Sequence, residues 1–212
     1  DPNLAVLQAA DRAAAALRPR VPLGTRGVWR GVEYEAVGVQ ERAIRADGAE
    51  YAWREYVLFN PYHGFRYLTE YDGHWTFVEP LAALPVPAQA AGRPAVRLGG
   101  TVYRHFQTAS ARTRRVLGEF PWEARAGDSV TTRDYVAPPY VLSAEADAGA
   151  GGGAAEVTWS RGEYVDGDAV WKAFALPGAP PRPRGVYANQ PSPYVDPRSY
   201  WRAFAALAAV LV

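Results

Sequence analysis

The chain has no cysteine, no methionine, a single lysine (Lys172) and only three histidines (His63, His74 and His105). Without cysteine, a disulfide framework and thiolate metal sites are excluded within these residues, and the redox compartment stays open. Without methionine there is no initiator, which points to a chain processed or excised from a longer one. An excess of charge is also missing: 23 basic residues face 22 acidic ones, a net charge of +1. No strong field is therefore available to draw in nucleic acid. The basic residues are almost all arginine, which reads as codon bias before it reads as function. The N-terminus lacks the charge-then-apolar order of a signal peptide.

Standard catalytic signatures are missing as well. There is no G-x-S-x-G elbow, phosphate-binding Walker loop, H-E-x-x-H or G-x-G-x-x-G. The run GAGGGAAE (149–156) has glycines but no Lys or Ser/Thr to hold phosphate and magnesium, so it reads as a flexible loop. Asp72 and His74 flank a hairpin turn, with His63 and Glu70 nearby in sequence. Converging metal ligands are not implied by that spacing, and no metal and no cofactor are expected.

What is present is strand grammar. Residues 4–17, LAVLQAADRAAAAL, carry an apolar stripe at helical spacing behind Asn3, and Arg18-Pro19 ends it. From Leu23 the pattern alternates. Asp47-Gly48 and Asp72-Gly73 are strong hairpin signals that separate GVEYEAVGVQERAI, YAWREYVLF, FRYLTEY and HWTFVE. A proline- and alanine-rich stretch then reads as a connector. Beyond it TVYRHFQTASARTRRVLGEFPW suggests two strands, SVTTRDYVAP and PYVLSAEAD two more, and EVTWSRGEYV another. Asp166–Ala175 reads as a short helix with Val170, Trp171 and Phe174 packed inward. The expected architecture is mainly β: antiparallel meanders forming one or two small barrel- or sandwich-like units, with an N-terminal and a C-terminal helix. The expected organisation is an N-terminal helix (1–20), a first β unit (21–84), a connector (85–96), a second β unit with the short helix (97–176), a proline-rich linker (177–197) and the start of a transmembrane helix (198–212).

The last of these rests on the uncharged run 203–212. Spanning a bilayer takes about 20 residues, so this run reads as the start of a span. Tyr200 and Trp201 sit where an interfacial aromatic belt falls, and Arg198 and Arg202 precede the run as positive-inside anchors do. A core helix is the alternative. The membrane reading places the body at a bacterial inner membrane, facing the cytoplasm.

One letter breaks the pattern of YAWREYVLFNP (51–61). Tyr51, Trp53, Val57 and Phe59 alternate as one face of a strand, and Glu55 sits in the middle of that face. Glu55, Glu119 and Glu163 each lie beside aromatics: Trp53 and Tyr56, Trp122, and Trp159 with Tyr164. A carboxylate in an apolar pocket has a raised pKa and serves as a general acid, and a pair of them suits glycosidic chemistry. With no nucleophile–base pair in sight, a structural role weighs more: each carboxylate accepting hydrogen bonds from backbone or arginine, with Arg66 a candidate partner for Glu55. The candidate binding residues are accordingly Trp53, Glu55 and Tyr56; Trp75; Glu119 and Trp122; and Trp159, Glu163 and Tyr164. Arg112, Arg114 and Arg115 form a basic cluster, best read as a solvated face. A faint echo links Trp53-Arg54-Glu55-Tyr56 to Trp159–Tyr164.

The segments GVEYEAVGVQERA, YAWREYVLFNPYHGFRYLTEYDGHW, GEFPWEARAGDSVTTRDYVAPPYVLS, EVTWSRGEYVDGDAVWKAF and NQPSP, in that order, resemble one bacterial family, the domain of unknown function numbered 4178. The similarity runs from about Leu23 to Pro193. It implies a β-rich domain often followed by transmembrane helices. Many relatives carry a cysteine-rich zinc ribbon ahead of this region; no cysteine occurs here, so that element is missing or lies outside these residues. Relatives are often encoded near small membrane proteins and polyamine-synthesis-like enzymes. The resemblance brings no catalytic residue. The expected function is a non-catalytic, membrane-attached module binding a protein partner, such as a membrane protein, or a small ligand, in an envelope- or polyamine-linked system. The alternative is a hydrolase-type enzyme with a carboxylate acid in an aromatic cleft.

Overall fold

Tight turns set the topology. In a computed structural model that describes residues 16–46, 48–147 and 157–192, eleven strands form one antiparallel sheet, and all successive strands but β5 and β6 are neighbours. They are β1 (Arg26–Trp29), β2 (Val32–Ala46), β3 (Ala49–Asn60), β4 (Gly64–Tyr71), β5 (His74–Pro80), β6 (Val86–Ala90), β7 (Arg93–Leu98), β8 (Thr101–Gly118), β9 (Ser129–Ala137), β10 (Tyr140–Asp147) and β11 (Val157–Val165). One helix, α1 (Gly167–Ala173), follows. The pairs Arg30-Gly31, Asp72-Gly73 and Ala91-Gly92 all hold positive φ. Two consecutive residues of that kind make a turn whose twist matches the flanking strands. At the β3–β4 corner, the Asn60 side chain accepts hydrogen bonds from the backbone N–H of Tyr62 and His63 instead.

The sheet order is β1-β2-β3-β4-β5-β11-β10-β9-β8-β7-β6, and β2 also pairs with β8. That extra pairing closes eight strands, β2 to β5 and β8 to β11, into one antiparallel barrel, and leaves β1, β6 and β7 as additions. The two expected β units therefore share one closed sheet. The stretch expected as a connector instead folds as the β6–β7 hairpin. Proline did not prevent this, because Pro87 lies on the edge strand β6 and Pro94 precedes the stretch of β7 that pairs with β8. The stretch expected as two strands is one long strand, β8. Its N-terminal part pairs with β7 and its C-terminal part with β2, and β9 runs along its middle. The expected N-terminal and C-terminal helices fall almost wholly outside the described residues.

At the closing seam Gly38 faces Gly118. A Cβ on Gly118, which holds φ +88°, would collide with the Val37 carbonyl oxygen, and one on Gly38 with the Glu119 carbonyl oxygen. Val37 is the extra residue of a bulge between Ala36 and Gly38. Its carbonyl, turned toward β8, accepts the Glu119 N–H at 2.8 Å. The bulge sharpens the local bend that closure requires.

The two faces of the barrel wall differ in chemistry. Val39, Tyr56, Leu58, Leu68, Trp75, Phe77 and Val165 form one apolar cluster with Leu17 and Val21 ahead of the sheet, and with Val170 and Phe174 around α1. Those partners lie outside the wall, so the principal core is external to the barrel. The alternate set on the same strands, Glu55, Thr69, Thr76 and Tyr164, lies in register across β3, β4, β5 and β11 and faces the lumen. Glu55 does lie on the Trp53–Val57 face, but that face lines a polar interior and not the apolar core.

Candidate functional site

The lumen is organised around a guanidinium. Arg42 on β2 is 5% exposed and donates from Nη1 to Glu55 on β3 at 3.3 Å and to Glu145 on β10 at 2.7 Å. β2 and β10 are not sheet neighbours, so the Arg42–Glu145 bond crosses the barrel interior. Gln40 donates to the other Glu55 oxygen at 3.3 Å. The Trp53 ring lies 5.7 Å from the guanidinium carbon, a cation–π contact. Farther round, Asp134 on β9 accepts from Gln107 at 2.8 Å and from Ser143 at 2.7 Å. Register explains the set. The turn after Ala46 pairs Ala46 with Ala49, which puts Gln40 opposite Glu55 and Arg42 opposite Trp53.

Charge balance holds this cluster together. Burial disfavours the Arg42 cation, but the two carboxylates outweigh it and raise its pKa. Burial also raises the pKa of Glu145, opposed by Arg42 and reinforced by repulsion from Glu55. Arg42 Nε lies buried without a hydrogen-bond partner among the described residues.

One mouth of the lumen is closed by residues 176–192, which pack against the barrel without regular structure. The Tyr187 ring stacks on His74 at 5.4 Å and on Tyr71 at 5.9 Å, and its hydroxyl reaches Thr69. His74 is 1% exposed and held at both ring nitrogens. Arg184's carbonyl can only accept, so Nε2 carries the proton and donates to it at 3.0 Å, and Nδ1 accepts from the Tyr164 hydroxyl at 3.0 Å. Asn189 donates to the Pro139 carbonyl at 3.1 Å and to Thr76 Oγ1 at 3.5 Å. Trp122 lies tilted against Tyr67, another lumen residue, at 5.9 Å and remains 41% exposed.

Burial pushes the phenols of Tyr56, Tyr67 and Tyr187 up to about 12. The folded chain thus keeps these protons where the unfolded chain, with phenols near ~10, releases them. Their contribution to stability is full below pH ~10 and is lost as pH rises through about 12. An absorbance titration at alkaline pH should show a late-ionising class of tyrosines whose release coincides with unfolding. Uniform ionisation near pH ~10 in a chain that stays folded would contradict this.

The sequence-derived candidates separate. Trp53, Glu55 and Tyr164 meet the lumen, and Trp122 sits near Tyr67. Tyr56 and Trp75 are fully buried in the external core and stack on each other at 6.1 Å. Glu163 lies on the outer face, held by Arg30 at 2.6 Å. Glu119 is exposed beside the seam. Trp159 stacks on Tyr135 at 5.8 Å on the outer face, in an open groove of about 520 Å³ walled by Pro85, Pro87 and Pro94. Arg66, the expected partner of Glu55, instead donates to the carbonyls of His63 and Phe65. Arg114 and Arg115 both pair with Glu41, and Arg114 also with Glu50, along a second open groove of about 840 Å³. Arg42, Glu145, Asp134 and Tyr187 escaped the sequence reading. Only Arg42 left a usable signal, through the register of the 47–48 turn.

No group of three or more His, Asp or Glu side chains is placed to hold a metal among the described residues. Nor is any helix among them long and apolar enough to cross a membrane. The fold and its interior define a closed, eight-stranded antiparallel barrel with an ion-paired lumen. The chain belongs to the family described as Domain of unknown function (DUF4178), whose model matches residues 22–167. That span takes in every barrel strand and stops at the first residue of α1. Neither a curated protein nor a solved structure matches the chain significantly.

Proposed function

We propose that the chain is a non-catalytic binding module that recognises a protein partner through the Tyr135–Trp159 groove, and that its 198–212 segment attaches it to a membrane. The observation that carries the reading is the groove itself. Two stacked, half-buried aromatic rings line the groove between prolines of the β6–β7 hairpin and Arg133 of β9. Aromatic pairs in shallow grooves suit extended, proline-rich peptides, which are preformed and lose little entropy on docking. Pro87 removes one backbone donor from β6, which discourages strand addition there and favours recognition by side chains. The aromatic groove is also physically separate from the ion-paired lumen.

The rival hydrolase reading has less support. Glu55, Glu119 and Glu163 lie respectively in the lumen, on an exposed loop and on the outer face, so they do not converge on one cleft. Glu55 and Glu145 do converge, but on a guanidinium that both already bond.

A proline-rich peptide titrated into the full chain should shift tryptophan emission saturably. Trp159→Ala should weaken that binding at least ~10-fold, the loss of ~1.4 kcal/mol expected of an aromatic anchor, with little change in melting. An emission spectrum indifferent to such peptides would sink the groove reading. Membrane attachment is tested separately, by fractionation of cells expressing the full chain; recovery wholly in the soluble fraction would overturn it.

A further inference from the structure

The barrel mouth lined by Tyr71, His74, Thr76 and Tyr164 makes the same kinds of contact that a peptide site makes. Its occupant is the chain's own segment 182–190. The backbone N–H of Arg184 donates to the Asp72 carbonyl at 2.9 Å, and the Arg184 carbonyl accepts from His74 at 3.0 Å. Two bonds made by the Arg184 backbone, one to a backbone carbonyl and one from the His74 ring, thus fix the segment's register. Tyr187 then slots between Tyr71 and His74, and Asn189 is gripped by Thr76 and the Pro139 carbonyl. Gly73 leaves room for the passing backbone, since a Cβ there would lie 2.7 Å from the Arg182 carbonyl oxygen.

Three features separate this segment from the barrel it closes. Every strand of the barrel, and every strand-borne residue of the mouth, lies within the matched span 22–167; the segment follows that match, and the NQPSP resemblance reaches only its last two residues. The segment contributes no strand or helix, and its approach through Pro177, Arg182 and Pro183 is exposed. The fit is also incomplete, because Asn189 Oδ1 is buried without a hydrogen-bond partner among the described residues. A buried acceptor left unpaired weakens an occupant relative to one that satisfies it.

We infer that this mouth is a recognition site for an extended, proline-flanked peptide that presents a tyrosine and, two residues later, an asparagine, and that residues 182–190 are its intramolecular occupant. The partner is a segment of that chemistry in another protein, which binds by displacing the chain's own. This site is distinct from the Tyr135–Trp159 groove and stands or falls without it.

The test uses the full chain and a fluorescein-labelled peptide of the sequence PRPRGVYANQPS, residues 181–192. Wild-type chain, with its mouth filled, should bind the peptide weakly by fluorescence anisotropy. Tyr187→Ala, which removes the ring from the mouth without altering its lining and leaves the segment held only through Arg184 and Asn189, should bind at least ~10-fold more tightly, equivalent to ~1.4 kcal/mol. A peptide with its own tyrosine replaced by alanine should lose that gain. Equal binding by wild type and variant, or none by either, would overturn the inference. Wild-type dimers that exchange residues 182–190 and vanish in Tyr187→Ala would also overturn it, by assigning the mouth to a second copy. Should Tyr187→Ala fail to fold, hydrogen exchange on wild type decides. Release of the Arg184 amide at least ~100-fold faster than the barrel amides supports an exchangeable occupant, and release at the barrel's own rate refutes it.

Discussion

Arg42→Met is expected to lower the free energy of unfolding by ~3–5 kcal/mol, the cost of stranding buried charges by deleting one partner. The methionine keeps the length of the stem, so loss of packing contributes little. What is lost is the cation that Glu55 and Glu145 share at 3.3 and 2.7 Å. Left behind, the two carboxylates are desolvated and repel each other, and folding then favours their protonated forms. The Glu145 pKa, already raised by burial and held down by Arg42, rises further above its unfolded value. The variant therefore recovers stability as pH falls through that raised value and is worst at neutral pH. Urea unfolding at neutral and at mildly acid pH measures both effects. A neutral-pH loss below ~1 kcal/mol would show that the network adds little.

The same network ranks its own members. Glu55→Gln keeps the shape and leaves Arg42 bonded to Glu145, so its cost should be ~1–2 kcal/mol. The triple variant Arg42→Met, Glu55→Gln, Glu145→Gln should recover much of the Arg42→Met loss, because an uncharged interior lacks the desolvation penalty. These comparisons bear on Glu55, the residue that broke the pattern of β3. Its chemistry is that of a tie between β2, β3 and, through Arg42, β10. A structural tie fails first in stability, which the Glu55→Gln melting curve reads directly.

The turns and the alternation were legible because they are local. Asp72-Gly73 encodes its hairpin in two residues, and the β4, β5, β9, β10 and β11 boundaries follow from runs between such signals. The closure of β2 on β8 was not legible. It joins residues some 75 positions apart, Glu41 with Arg115 for instance, and no local signal records that distance. The inversion of the faces was hidden for a related reason. Alternation says that two sets of side chains oppose each other, not which set faces the lumen. Tyr56 and Leu58 find their core outside the wall only because Leu17, Val21, Val170 and Phe174 come to cover them. The β6–β7 hairpin was masked by its prolines, and β8 was split in expectation because no residue inside it signals that one strand serves different partners in succession. Of the candidate carboxylates, only Glu55 reached the lumen, and its arginine could be found only by counting back from the 47–48 turn to Gln40 and Arg42.

Closure makes the seam the second place where one atom matters. Gly118→Ala is expected to destabilise by ~3 kcal/mol or more, from overpacking and from forcing an L-residue into the left-handed region. At φ +88° the new Cβ would run into the Val37 carbonyl and press on Leu23. The Leu23 methyl can give way, but the backbone cannot: Val37 is fixed in the bulge, and its carbonyl already holds the Glu119 N–H at 2.8 Å. Relief would require parting β2 from β8, and that would open the barrel and expose the Arg42 cluster to water. Gly127→Ala is the control. It also holds positive φ but has nothing near its Cβ position, so it isolates the backbone cost alone. Gly118→Ala should melt roughly 6–12 °C below wild type, and Gly127→Ala should fall by a fraction of that. Equal shifts in the two variants would mean that the seam tolerates a methyl group and that backbone strain, not the close approach of the strands, demands glycine at position 118.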